Sequence, residues 1–187
     1  MTILQRIDSR QAKRLVSQWI EEEGFTAKSI KDPKNVAWGY SIQYPPGAPS
    51  QAAVFLTIVS EKRRRDSVII SCGTSVSPDH SIAMARWEEK KQKKFIYEVL
   101  QLFHSKGVHF RAQWPEGVLQ GFGVARRVLL EELSKGHFLS ELQLIFDIRS
   151  LVVLKINYET GTMGLQPQPP PGRADRPEEG PTGSMYG

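Results

Sequence analysis

The chain has 187 residues, a net charge of +5 at pH 7 and a single cysteine, Cys72. Its apolar content of 40% is ordinary for a globular domain, and no apolar run approaches the roughly 20 residues of a membrane-spanning helix. One cysteine excludes an internal disulfide, and the N-terminus lacks a signal-peptide pattern, so we expect a cytoplasmic protein. The basic balance permits an acidic partner without identifying one.

The first part of the chain predicts one helix followed by an antiparallel meander. Asp8 or Ser9 is a good N-cap, apolar residues recur at helical spacing after it, and Gly24 ends the helix. Alternating or continuous apolar runs then predict strands separated by turns. These strands are 36–44, 53–60 and 67–72, with a weaker candidate at 25–31 and a turn at 32–35.

The stretch S-C-G-T-S-V-S-P-D-H at 71–80 contains the residue types of a nucleophile and its base. Ser77, followed by a proline and then Asp79, is however a strong helix-start signal. Asp79 and His80 are neighbours on a helix and do not face each other. Cys72 has no nearby group to lower its pKa except the start of that helix. We therefore interpret the stretch as a strand, a turn and a helix cap.

After this cap, an apolar stripe predicts one long helix that ends before Gly107. An alternating segment at 108–114 predicts a strand, whereas 124–133 suits a helix as readily as a strand. Ser134 is a good N-cap for a final helix. From about residue 160 proline and glycine dominate, which favours a flexible tail. The predicted organisation is a single domain at 1–160 and a tail at 161–187.

Four segments carry a resemblance to known proteins: V-S-Q-W-I-E-E-E-G at 16–24, V-I-I-S-C-G-T-S-V-S-P-D-H at 68–80, and the segments 95–110 and 133–156. Together with the order of elements, they resemble the type III secretion chaperone-like fold. More narrowly, the chain looks like a small family of uncharacterised, mainly archaeal proteins thought to share that fold. The resemblance implies an α+β domain whose mainly antiparallel sheet is packed by an N-terminal, a long central and a C-terminal helix. It also implies that 124–133 pairs as a strand.

No catalytic residue, metal or cofactor is predicted. The histidines lack the spacing of a zinc site, and no glycine-rich phosphate-binding loop is present. An enzyme is possible only if folding joins distant residues, such as His80 with Asp147 or Glu132. The histidines are His80, His104, His109 and His137.

Two basic clusters, one at a predicted hairpin tip and one in the long predicted helix, are candidates for one surface. A seven-residue strand is about 23 Å long, which matches about 15 helical residues, so a helix folded back along the sheet would merge the clusters. A merged patch would bind nucleic-acid phosphates without sequence specificity. A charged hairpin and a solvated helix face explain the same residues without a ligand. The patch residues are Lys62, Arg63, Arg64, Arg65, Lys90, Lys91 and Lys94.

We therefore expect a non-enzymatic, chaperone- or adaptor-like interaction module that binds another protein or itself as a homodimer. The missing catalytic set and the resemblance motivate this expectation. Exposed apolar surface on a helix or an unpaired sheet edge would support it. The alternative is nucleic-acid binding through the merged basic patch; no membrane partner is expected.

Overall fold

The computed structural model describes residues 7–31, 34–49 and 53–161. Its helices are α1 (Ser9–Glu22), α2 (Pro78–Ala85), α3 (Glu89–Ser105) and α4 (Lys135–Glu159). Its strands are β1 (Ala27–Ser29), β2 (Val36–Tyr44), β3 (Val54–Glu61), β4 (Ser67–Ser75), β5 (His109–Gln113) and β6 (Gly121–Leu129). The strands form one antiparallel sheet in the order β1-β2-β3-β4-β6-β5. The predicted α+β class and antiparallel sheet are confirmed.

The predicted helix starts are confirmed by their hydrogen bonds. The Asp8 side chain accepts from the Gln11 N–H at 2.8 Å and caps α1. Ser77 caps α2, and Ser134 caps α4 by accepting from the His137 N–H at 3.3 Å. Each cap satisfies a backbone N–H that has no partner within its helix.

The core lies between the helices and one face of the sheet. Residues directly opposite each other on neighbouring strands point to the same face, and on this face they are almost fully buried. α1 joins α4 through Trp19 and Phe138, whose rings are 5.6 Å apart. α3 packs Phe103 on Phe110 of β5 at 4.7 Å. The central buried pairs are Ile42–Leu56, Ile58–Ile70 and Cys72–Val124.

The predicted long central helix is wrong, because the chain leaves helical geometry at 86–88, between α2 and α3. Trp87 there packs edge-on against Phe95 at 5.3 Å. The Gln92 side-chain amide donates to the carbonyl of Met84 at 3.3 Å, an oxygen that also accepts from the Trp87 N–H at 3.1 Å in the turn that ends α2. Met84 and Phe95 are eleven residues apart, about three helical turns, so the apolar stripe stays in phase across the break.

The strand implied for 124–133 is correct only as far as Leu129. β6 ends there, and a short 3-10 turn, Leu130–Glu132, follows. The Leu130 N–H donates to the Asp66 carbonyl at 2.9 Å, and the buried Leu130 and Leu133 side chains turn the chain towards the core. Burying these two side chains therefore ends the strand.

Two predicted segments fall largely outside the described residues. They are the tail at 161–187, of which Gly161 alone is described, and the first half of the turn at 32–35. Within the described ranges, no helix has the length and apolar character needed to cross a membrane.

Candidate functional site

The two basic clusters lie at opposite ends of the sheet. At the hairpin end, Asp66 bonds Leu130 just before α4 begins. At the other end, the Lys91 ammonium lies 3.3 Å from the carbonyl of Glu159, the last residue of α4. β4 runs between these ends for about 26 Å, at ~3.3 Å per residue. The predicted merging of the two clusters is wrong. Because of the helix break, α3 starts at the end of the sheet far from the hairpin, and the α3 lysines lie at that far end.

The α3 lysines are largely engaged by neighbouring groups. Lys91 pairs with Glu159 at 3.4 Å and lies 4.5 Å from the Trp87 ring centroid. Lys94 lies 3.8 Å from Glu98, one helical turn away. Exposed pairs of this kind contribute about 0–1 kcal/mol, which favours a solvated helix face. The four basic residues of the hairpin tip are all exposed.

The 71–80 stretch contains the predicted helix cap, but β4 continues through Gly73 to Ser75, where the sequence predicted a turn. Ser77 Oγ accepts from the His80 N–H at 3.4 Å and lies 2.7 Å from its Nδ1. Cys72 is buried, and burial raises the pKa of its thiol, which disfavours the nucleophilic thiolate. His80 and Glu132 lie near opposite ends of β4. In the described part of the chain, no three His, Cys, Asp or Glu side chains are arranged to hold a metal ion.

A buried carboxylate on α4 forms a charged cluster that the sequence did not predict. Glu141 is 6% exposed; its Oε1 lies 3.1 Å from His137 Nε2 and its Oε2 lies 3.2 Å from Arg126 Nε. Arg126 also donates to the Gly107 carbonyl at 2.6 Å. The cluster thus ties α4 and β6 to the turn between α3 and β5. The only sequence signal was the position of Glu141, three residues after the buried Phe138.

His137 faces acceptors through both ring nitrogens. Its Nδ1 lies 3.0 Å from the Glu132 carbonyl, and its Nε2 faces the Glu141 carboxylate. A neutral imidazole has one donor, whereas the imidazolium donates at both positions. The Glu132 carbonyl, and then Glu141, accordingly raise the pKa of His137 above 6.5 against the opposing effect of burial.

The raised pKa of His137 predicts a pH-dependent stability. A raised folded-state pKa adds stability that is complete below the unfolded pKa, about 6.5, and is lost as the pH rises through the folded-state pKa. We expect the free energy of unfolding to fall more steeply above pH 6.5 in the wild type than in His137→Gln. Urea denaturation of both proteins at several pH values measures the difference. Equal pH slopes would contradict the assigned geometry.

The second face of the sheet carries no helix among the described residues. Phe55 is 59% exposed there, and the paired side chains Thr57–Ser71 and Val59–Ile69 are only partly buried. The centre of this uncovered face is therefore apolar or uncharged. Its charged residues lie on the edge strands or towards the hairpin end, and they are Lys28, Glu61, Arg111 and Arg127.

A pair of glycines opens a depression in the uncovered face. Gly73 and Gly123 are directly opposite each other in a continuous β4–β6 register, and neither has a positive φ. A Cβ at Gly73 would meet no atom within 4 Å, and one at Gly123 would meet only the Cys72 carbonyl at 3.7 Å. Neither conformation nor space requires glycine at these positions. The depression measures about 550 Å³ and is also lined by Ser71, His109, Arg111 and Ala125.

These features define an α+β protein whose described helices cover one face of a six-stranded antiparallel sheet, while the other face has an uncharged centre. Residues 12–156 match the family described as "Uncharacterized conserved protein (DUF2299)", and the chain belongs to that family. It is also similar to the crystal structure of an uncharacterized protein from Methanothermobacter thermautotrophicus. The identity is 27% and the TM-score 0.73, over 80% of this chain and 99% of that one. No curated protein matches the chain.

The predicted resemblance to a family of uncharacterised proteins is confirmed at this level, and the similar solved structure is archaeal. The type III secretion chaperone-like fold stays a prediction.

Proposed function

We propose that this protein is a non-enzymatic interaction module that binds a partner protein through the uncovered sheet face. The glycine pair is the observation that carries the proposal. Glycine inside a strand costs about 0.5–1 kcal/mol relative to alanine, and it often marks a place where a ligand or another backbone approaches closely. Because neither Gly73 nor Gly123 is required by the fold, a partner side chain seated in the depression gives the pair a role.

The charges around this face indicate the chemistry of the partner. Arg111 and Lys28 are exposed on the two edge strands, whereas Arg127 pairs with Glu61 at 3.5 Å. An apolar centre within a polar rim is the usual anatomy of a protein interface. The complementary partner therefore presents apolar side chains, with Phe55 as their main contact, flanked by acidic residues.

The edge beside the depression suits an extended partner segment. Among the described residues β5 pairs with β6 alone, so one side of its backbone is open. An extended segment added at such an edge gains main-chain hydrogen bonds, and a neighbouring pocket selects its side chains. The type III secretion chaperone-like resemblance belongs to this proposal, since such chaperones wrap an extended segment of their partners. A cytoplasmic location belongs to it as well.

Photo-crosslinking tests the binding face directly. A photoreactive residue at Thr57, at the centre of the uncovered face, is compared with one at Tyr97 on the outer side of α3, in an extract of the source organism. We expect a discrete adduct from position 57 and none from position 97. The captured protein should have apolar residues flanked by acidic residues at the crosslinked site. Adducts of equal yield from both positions, or none from position 57, would overturn the proposal.

Filling the depression separates binding from stability. Gly123→Val is expected to raise the free energy of unfolding by about 0.5–1 kcal/mol, because valine suits a strand and a Cβ at this position meets no clash. The same change should abolish binding of the crosslinked partner, measured by titration of purified proteins. Gly136→Ala, at another glycine with open space around it, is the matched control and should bind normally. Undiminished binding by Gly123→Val would contradict the role of the depression.

The nucleic-acid alternative now rests on the hairpin tip alone. We expect Lys91→Glu/Lys94→Glu to leave duplex binding at about 50 mM salt unchanged, because these lysines lie at the far end of the sheet. Arg63→Glu/Arg64→Glu should reduce any binding and its salt dependence, since each lost phosphate contact lowers the slope by about one. Equal losses in the two variants, measured by fluorescence anisotropy, would restore the merged patch.

A further inference from the structure

The outer side of α4 carries an apolar stripe on the opposite side of the sheet from the proposed binding face. Leu151, Leu154 and Tyr158 are 46%, 56% and 69% exposed. α4 already buries its other side against β4 and β6 through residues such as Val152 and Ile156. The second half of α4 is therefore apolar on both sides, as expected for a helix with a second partner.

The spacing of the stripe fits a helical partner. Continued back to Leu144 and Asp147, its members follow one another at intervals of three and four residues. This alternation averages 3.5 residues, the repeat of a helix seam that packs against another helix. Lys106, after the end of α3, lines a groove with Leu151 and Leu154 and borders the same seam. The seam from Leu144 to Tyr158 is about 21 Å long at ~1.5 Å per residue.

We propose that α4 packs against α4 of a second copy of this chain in an antiparallel pair. A two-fold axis between residues 152 and 153 places Leu151 opposite Leu154 of the other copy. The same register places Asp147, the seam's charged member, opposite the hydroxyl of Tyr158. Asp147 is already oriented by the Gln143 amide, which donates to its Oδ1 at 2.7 Å.

The parallel alternative is disfavoured by charge. In a parallel pair each residue meets its own equivalent, so the two Asp147 carboxylates would face each other and repel. The antiparallel register replaces this repulsion with a hydroxyl-to-carboxylate hydrogen bond, which is stronger than a neutral one.

The expected dimer is weak. A seam of about 21 Å by ~10 Å covers on the order of 200 Å², below the ~800 Å² that each partner buries in a standard interface. We therefore expect dissociation over the micromolar concentration range. The sheet faces would point away from each other, so dimer formation leaves both proposed binding faces accessible.

Sedimentation analysis of the full chain between about 1 and 200 µM tests the dimer. The wild type should shift from monomer to dimer, and Leu154→Glu or Leu151→Glu should stay monomeric with an unchanged melting temperature, since both side chains are exposed. Phe55→Glu is the matched control on the uncovered face and should dimerise like the wild type. A wild-type monomer at 200 µM, or a dimer that survives Leu154→Glu, would overturn the proposal. Loss of the dimer in Phe55→Glu would instead assign self-association to the sheet face.

Cysteine pairing tests the register. A mixture of Asp147→Cys and Tyr158→Cys chains should form a disulfide between the two variants on oxidation. Tyr158→Cys alone should form none, because its two copies would lie about 16 Å apart along the helices, beyond the reach of a disulfide. A disulfide in Tyr158→Cys alone would overturn the antiparallel arrangement. The native Cys72 is buried and does not compete.

Discussion

Replacing Phe138 by alanine is expected to lower the free energy of unfolding by about 3–5 kcal/mol. The Phe138 side chain is fully buried in the first turn of α4, with its ring 5.6 Å from that of Trp19 on α1. Removing it leaves a cavity where α1 and α4 meet above the sheet. Because domains of this size have about 5–15 kcal/mol in total, the variant should be close to unfolding. Urea denaturation measures the loss.

Tyr97→Ala is the control for this prediction. Tyr97 is an aromatic side chain on α3 that is 65% exposed, so its removal should change the free energy of unfolding by no more than about 0.5 kcal/mol. Similar losses in the two variants would show that Phe138 is not packed as the structure has it.

Replacing Glu141 by alanine is the second large expected effect, a loss of about 3 kcal/mol. Removing one partner of a buried ion pair costs about 3–5 kcal/mol, because the remaining charge is left unpaired. The lower end applies because the Arg126 and His137 side chains are about one-third exposed. The variant should also lose part of the pH dependence predicted for His137.

The control for Glu141 is Glu131→Ala, at an exposed glutamate just before α4. It should unfold like the wild type. Hydrogen exchange gives a second readout: in Glu141→Ala, Arg126 loses a partner that orients it towards the Gly107 carbonyl, so amides around the α3–β5 turn should exchange faster. Unchanged exchange there would contradict a cluster that links α4, β6 and this turn.

The two proposed surfaces give the protein a consistent architecture. The seam on α4 and the uncovered sheet face lie on opposite sides of the sheet, so a dimer formed through α4 would present two binding faces. Two linked faces bind a partner with repeated sites more tightly than one face does, without any new contact. The proposals nevertheless fail separately, since Leu154→Glu tests the first and Gly123→Val tests the second.

Local patterns in the sequence predicted most elements correctly. Cap signals such as Ser77 with its following proline depend on hydrogen bonds within a few residues, so they are visible in sequence. Alternating apolar residues predicted the strands because the side-chain period of a strand is a local property. The antiparallel meander followed, since short turns connect its strands.

Signals that depend on distant contacts were missed. The apolar periodicity gives no sign of the break between α2 and α3, where Trp87 packs on Phe95. The same break keeps the two basic clusters apart, because the position of α3 places Lys91 near Glu159 and far from the hairpin. Glu141 stands on the buried side of α4 only because Arg126 and His137 reach it there.

The sequence by itself therefore determined the α+β class, most of the strands and the helix caps, because these depend on residues close together in the chain. Tertiary structure alone decided which surfaces exist. The glycine depression needs β4 and β6 side by side, although Gly73 and Gly123 are fifty residues apart. The α4 seam is defined only in the folded protein, where the other side of that helix is buried against the sheet. Which apolar side chains stay exposed is determined by how the layers pack, and that packing involves the whole chain.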